Sequence, residues 1–241
     1  MTRHMQVKLK LQSFLLLLFF YTVSGVCHAE RELIHSVDFT TQPEGDAHPW
    51  LEKRGYLMEL DAQDINVVFK NKQLNIEAEG AQSAIFGLKL KPENYLADIS
   101  FIEIEWGVVK QPTGADWEAG NNRVPIAFIF FFGTEEVSSG LPFGINSAPY
   151  FLSPFIGLKE QKDKVYLGKL YQKGGRYICL ATTPGSEELI KSTIKTDPLF
   201  LKLFKKNEIP PITAIAFQIN TKDTQGGAHA FIRKLRFYSD K

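Results

Sequence analysis

The sequence is poor in the residues that build metal and redox chemistry. Two cysteines, Cys27 and Cys179, in 241 residues make neither a disulfide framework nor a four-cysteine zinc site. Charge of one sign is missing too: 28 Lys and Arg stand against 27 Asp and Glu, a net charge of +1. That balance excludes a strongly basic nucleic-acid binder and a polyacidic buffer. No apolar run reaches the ~20 residues a spanning helix needs. The longest one beyond the amino terminus, Val124 to Phe132, contains Pro125 and ends at Gly133. No repeat, low-complexity stretch or linker divides the chain, and no strand-helix-strand rhythm runs through it. Apolar and aromatic residues, at 44% and 12%, are plentiful enough for the core of one domain.

The amino terminus reads as an export signal. Arg3, Lys8 and Lys10 precede the apolar run Phe14 to Tyr21, and Thr22, Ser24 and Gly25 lead to Cys27-His28-Ala29. These are the basic, apolar and small-residue regions of a secretory signal peptide, with cleavage after Ala29. Lipidation at Cys27 is the competing reading, but a lipobox wants a small residue where Val26 stands. The expected layout is a signal peptide over residues 1–29 and one domain over 30–241, periplasmic or secreted. Removing the signal takes away three basic residues and no acid, leaving 25 basic against 27 acidic, a mature charge of −2.

The remainder alternates short apolar segments with turn residues. Strands are expected at Ile34–Phe39, at Asn66–Phe69 and Gln73–Ala78, which flank Lys70-Asn71-Lys72 as a hairpin, and at Ala84–Leu90 and Phe101–Val109. The last should turn Ile102, Ile104, Trp106 and Val108 to one face and Glu103 and Glu105 to the other. Pro125 to Phe132 has no polar position and reads as a central strand covered on both faces. Lys173-Gly174-Gly175 predicts a tight hairpin between Val165–Gln172 and Arg176–Thr182, the glycines supplying positive φ. Thr221 to Gly227 predicts a final hairpin between Ile212–Asn220 and Ala228–Tyr238. One helix is expected, capped by Asp197 with Pro198 at its first position and Leu199, Phe200, Leu203 and Phe204 as its apolar stripe. Nine to eleven strands and one short helix predict an all-β, antiparallel, jelly-roll-like sandwich.

Arg123-Val124-Pro125-Ile126-Ala127, Gly174-Gly175-Arg176-Tyr177-Ile178-Cys179-Leu180-Ala181, Pro210-Pro211-Ile212-Thr213-Ala214-Ile215 and Asn220 to Ala228 resemble the exported bacterial proteins grouped as domain of unknown function 3047. The resemblance covers nearly the whole chain after the signal, most firmly from Phe101 onward. It implies a jelly-roll-like sandwich and carries over no catalytic or binding residue.

Chemistry is sparse. Glu103 and Glu105 sit at alternate positions of one strand, as in retaining glycosidases built on a jelly roll, whose carboxylates must lie ~5 Å apart across the sugar. Those enzymes carry a third acid at the next alternate position, and here Phe101 and Gly107 flank the pair, so a solvated outer face is the better reading. After the signal, His35, His48 and His229 are not spaced as metal ligands. No serine sits in a Gly-x-Ser-x-Gly elbow, and Cys179 lies among apolar neighbours as a buried thiol. Asp223 is expected to join a loop held by its own hydrogen bonds rather than a calcium site.

Aromatic and Arg residues near turns carry what functional signal there is. Trp117 in a polar loop, Arg123, Tyr171, Arg176 and His229 are the candidate ligand-binding residues, since sugars stack their C–H faces on rings and bond to polar side chains. The expectation is a non-enzymatic envelope module binding a saccharide or another envelope polymer, with no cofactor and no nucleic-acid partner. A polysaccharide hydrolase or lyase, or a structural interaction protein, are the alternatives.

Overall fold

The computed structural model describes residues 31–139 and 147–240. The segment read as a signal peptide, with the expected cleavage point and Cys27, lies outside the described residues. Along the chain run β1 (Arg31–Asp38), β2 (Gly45–Asp46), α1 (His48–Lys53), β3 (Leu57–Leu60), β4 (Asn66–Lys70), β5 (Gln73–Ala78), β6 (Ser83–Lys89) and β7 (Phe101–Lys110). They are followed by β8 (Val124–Val137), β9 (Ala148–Gly157), β10 (Val165–Tyr166), β11 (Gly175–Thr182), β12 (Ile190–Lys195), α2 (Thr196–Phe204), β13 (Ile212–Asn220) and β14 (Ala228–Asp240).

The strands form a sandwich of two seven-stranded sheets. Sheet A has the order β12-β7-β14-β5-β4-β2, with β1 pairing β14 beyond the end of β5. Sheet B has the order β10-β11-β9-β8-β13-β6-β3. All pairings are antiparallel except β9 with β11, which are parallel because the short β10 takes up the antiparallel edge of β11. The fourteen strands among the described residues exceed the nine to eleven expected, and β2, β3, β9 and β12 fall outside every segment read as a strand.

Alternation positions the core. Ile102, Ile104, Trp106 and Val108 on β7 are buried, and they face Ile126, Phe128, Phe130 and Phe132 on β8. The Trp106 indole lies 5.7 Å from Phe128 and donates its Nε1–H to Ser192 Oγ at 3.0 Å. Each such fully buried large side chain contributes about 1.5–3 kcal/mol. On β14 the inward set changes parity, from Ala230 and Ile232 to Leu235 and Phe237. A register shift against β7 between Ile232 and Lys234 accounts for it, since one extra residue reverses every following side chain.

The hairpin β4–β5 turns through Asn71 and Lys72, both at φ 56°, the left-handed pair that suits a two-residue loop. Other expectations need correction. Residues 221–227 do not close a hairpin: β13 belongs to sheet B and β14 to sheet A, and each has both edges taken by other strands. The segment is instead an arch between sheets. Gly227, at φ 64°, lets it pass where a Cβ would stand 2.0 Å from the Ala78 carbonyl oxygen.

Gly174 and Gly175 are not the positive-φ residues of their turn either; Tyr171 is, at φ 56°, and its carbonyl accepts both glycine N–H groups at 3.1 and 2.7 Å. Gly175 is needed for packing, because a Cβ there would lie 2.3 Å from the Phe151 ring. Of the strand expected over Val165–Gln172 only Val165–Tyr166 is paired. Helix α2 starts two residues earlier than expected, after Lys195, with no side-chain cap, so Asp197 lies inside its first turn. Helix α1 was not legible in six residues containing Pro49.

Candidate functional site

The outer face of sheet B is concave and open. One cavity of about 400 Å³ and a second of about 330 Å³ share Glu59, Gly87, Phe131 and Ala216, so they form one groove across the sheet. Its floor alternates with the core residues. Because Phe128, Phe130 and Phe132 point inward, Ile129 and Phe131 of β8 must point out. Phe151 of β9, Ala216 and Gln218 of β13, and Ile85 and Gly87 of β6 complete the floor. A Cβ at Gly87 would meet nothing within 4 Å, so this glycine leaves the floor open without being required by the backbone.

The β8 run is therefore not covered on both faces: Phe131 is half-buried and lines the groove. A strand with no polar position gives no sign of which face another element covers.

The two lips stand at opposite edges of the sheet. β3 supplies Leu57, Glu59 and Leu60, and the loop after β10 supplies Lys169, Leu170 and Tyr171. Leu57, Leu60 and Leu170 are 60%, 68% and 44% exposed, an unusual outlay of apolar surface around one cleft. Leu60 and Tyr171 also hold left-handed backbone, at φ 61° and 56°. Leu60 is fixed by its neighbour Asp61, whose N–H donates to the Ser83 carbonyl and whose Oδ2 accepts the Ser83 N–H. Left-handed backbone at a non-glycine residue is unfavourable and recurs at ligand clamps.

Three of the five candidate residues gather at one end of this groove. Tyr171 stands on a lip, its ring 5.9 Å from Phe151. Trp117 is buried rather than displayed: it stacks on Phe155 at 5.0 Å, packs at a tilt against Tyr177 at 4.8 Å and contributes to the wall. Its polar loop is clamped down, since the Trp117 N–H donates to the buried Glu160 carboxylate at 2.9 Å and Glu118 accepts bonds from Tyr166 and Lys164. The Trp117 indole Nε1 is buried with no hydrogen-bond partner among the described residues. Arg123 lines the same wall, its guanidinium donating to the Asp223 carboxylate and, at 2.7 Å, to the Lys222 carbonyl.

The other two lie elsewhere. Arg176 packs over Phe204 of α2, 5.1 Å from its ring centre, and donates to the Gln172 and Gly175 carbonyls. It shares the inward parity of Ile178, which takes it off the groove face. His229 is on sheet A, 3.3 Å from Asn75, in a polar cleft of about 210 Å³ with Glu77 and Glu187. Burial holds its pKa below the usual histidine value.

Ile129 and Phe131 lie in the run expected to be covered on both faces, and only the inward assignment of their neighbours exposes them. Glu103 and Glu105 lie on the outer face of sheet A, paired with Arg31 and Arg236 and remote from the groove. The Cys179 thiol is buried, donates to the Ala181 carbonyl, and is pushed up to about 11 by that burial, which suits packing and not nucleophilic attack. Burial likewise pushes the Tyr177 phenol up to about 12, keeping it a neutral donor beside the groove. Among the described residues, no three His, Cys, Asp or Glu side chains are placed to hold a metal ion.

Neither the protein-family models nor the curated proteins give a match to this chain. Among solved structures it is similar to a point variant of a family 29 carbohydrate binding module, at 10% identity over 86% of this chain and 91% of that one, with a TM-score of 0.37. A family 29 carbohydrate binding module from Piromyces equi gives 10% identity, 85% and 90% coverage and a TM-score of 0.36. Scores this low carry no argument about ligand, and the groove's own geometry is what bears on function.

Proposed function

We propose that the protein is a non-enzymatic saccharide-binding module, exported to the cell envelope, that receives its ligand in the groove on sheet B. The carrying observation is an open cleft whose floor and walls present Phe131, Tyr171 and Tyr177 half-buried, with Glu59, Gln218, Asn122 and Lys169 around them. Pyranose rings have apolar C–H faces and hydroxyl edges, and this lining offers an apolar surface with polar groups beside it. The length of the groove across several strands suits a chain of sugars more than one terminal unit. The amino-terminal export pattern and the resemblance to the exported family of unknown function support the envelope part of the reading.

A glycan array, followed by calorimetry on the best binders, tests it. Binding at millimolar affinity or better, lost in Phe131→Ala, is the expected result. An array with no bound glycan at millimolar concentration contradicts the proposal.

A further inference from the structure

The polar groups of the groove are unevenly divided. At the Trp117 end stand Arg123, Lys169 and the Asn122 amide, the other half holds Lys89 and Glu136, and Glu59 lines both. Near the Trp117 end, Arg123 is paired with Asp223, and Lys222 with Asp61 at 3.1 Å. Lys169 has no ion pair among the described residues, and it is exposed on the lip. Its charge reaches the same place: the Asp223 carboxyl is held below its usual value first by its hydrogen bond from Arg123 and then by the nearby charges, Lys169 among them. Lys169 therefore faces the cleft as a cation without an ion-pair partner among the described residues.

A second observation is independent of charge. Trp117 is 6% exposed, lines this same wall, and leaves its indole N–H without an acceptor among the described residues. A buried donor in that state loses its hydration and receives nothing in return, which is rare enough in folded proteins to require a reason. An acceptor carried by a ligand supplies one.

We infer that the Trp117 end of the groove receives an anionic oxygen group borne by the saccharide, a carboxylate or a sulfate, with Lys169 as its counter-ion and the Trp117 indole as a donor. The inference rests on the saccharide reading and narrows it to acidic glycans, oriented so that the anion lies away from Glu136. Charge-assisted bonds to such a group are the stronger class of hydrogen bond, and their partners in the free protein wait unpaired.

The test compares dextran, dextran sulfate and alginate by calorimetry at low salt, on the wild-type chain and on Lys169→Gln, Trp117→Phe and Lys191→Gln. Alginate or dextran sulfate is expected to bind at least tenfold tighter than dextran, with the difference shrinking as salt is added. Lys169→Gln should remove most of that difference, and Trp117→Phe, which keeps the stacking, should weaken the acidic ligand several-fold. Lys191→Gln, on β12 of the other sheet, should change nothing. The alginate and dextran sulfate arms tell carboxylate from sulfate. Equal binding of all three polymers, or equal loss in Lys169→Gln and Lys191→Gln, overturns the inference. So does a glycan array on which only neutral glycans bind, and that result leaves the saccharide reading standing; an array with no binder removes the reading itself.

Discussion

The two sheets bury similar inner faces and present opposite outer ones. Sheet A ends its outer face in cross-strand ion pairs: Arg236 with Glu105 at 3.0 Å, Arg31 with Glu103 at 3.4 Å, Lys234 with Asp38 at 2.9 Å. Sheet B leaves Phe131, Ile85, Tyr171 and Tyr177 half-buried, with leucines standing exposed on both lips. Exposed pairs of the first kind are worth little each, and the large apolar side chains that sheet A exposes, Leu33 and Ile34, sit on β1 and line no cavity described above. The second face retains hydrophobic area that water covers at a cost, and the proposed binding face rests on that asymmetry.

Truncating the shared inner face should have the largest effect. Trp106→Ala removes a fully buried ring and its bond to Ser192, and should cost about 3–5 kcal/mol in urea unfolding. A loss under about 1 kcal/mol would mean the two sheets do not share the core described here.

Gly87→Leu comes next and separates binding from folding. Nothing lies within 4 Å of the added Cβ, so the fold should be unchanged, while the side chain fills the groove. Glycan affinity should fall at least tenfold, about 1.4 kcal/mol, with Tm preserved. The matching change on sheet A, Glu103→Gln with Glu105→Gln, should leave affinity unaltered.

Leu60→Asn sharpens the same division at the lip. Asn tolerates left-handed backbone better than Leu does, so stability should stay level or rise by up to about 1 kcal/mol while affinity drops. Loss of both together would make Leu60 a packing residue.

The smallest effect is the pH response, and it belongs to sheet A. Burial lowers the pKa of His35 and of His229 in the folded protein. The unfolded chain then binds more protons than the folded one as pH falls below 6.5, so stability declines through that window. A double variant, His35→Asn with His229→Gln, should flatten the change in urea midpoint between pH 7.5 and 5.5. At lower pH, Asp61, Glu118 and Asp223 continue the decline, because hydrogen bonds and ion pairs hold their folded pKa values down.

Periodicity made the inner faces readable. The β7 alternation and the Asn71-Lys72 turn were legible because each is a local rule of side-chain direction or backbone φ. What was not legible depends on partners distant in sequence. The 221–227 segment has turn composition, yet the edges it joins are already occupied, so it arches between sheets. Trp117 sits among polar residues, yet Glu160 and Tyr166 draw its loop onto the sheet. Arg123, Tyr171 and Trp117 do share one end of the groove, but its floor was hidden inside an apolar run whose outer face is open, and Arg176 and His229 fall on other surfaces.

The central claim, that sheet B carries the binding face, is tested most directly by backbone and methyl NMR with a saturating glycan from the array. Shifts should concentrate on Ile85, Ile129, Ala216 and the Leu57, Leu60 and Leu170 methyls. Perturbations centred on Glu77, Glu187 and His229 of sheet A, with the groove unmoved, would contradict it.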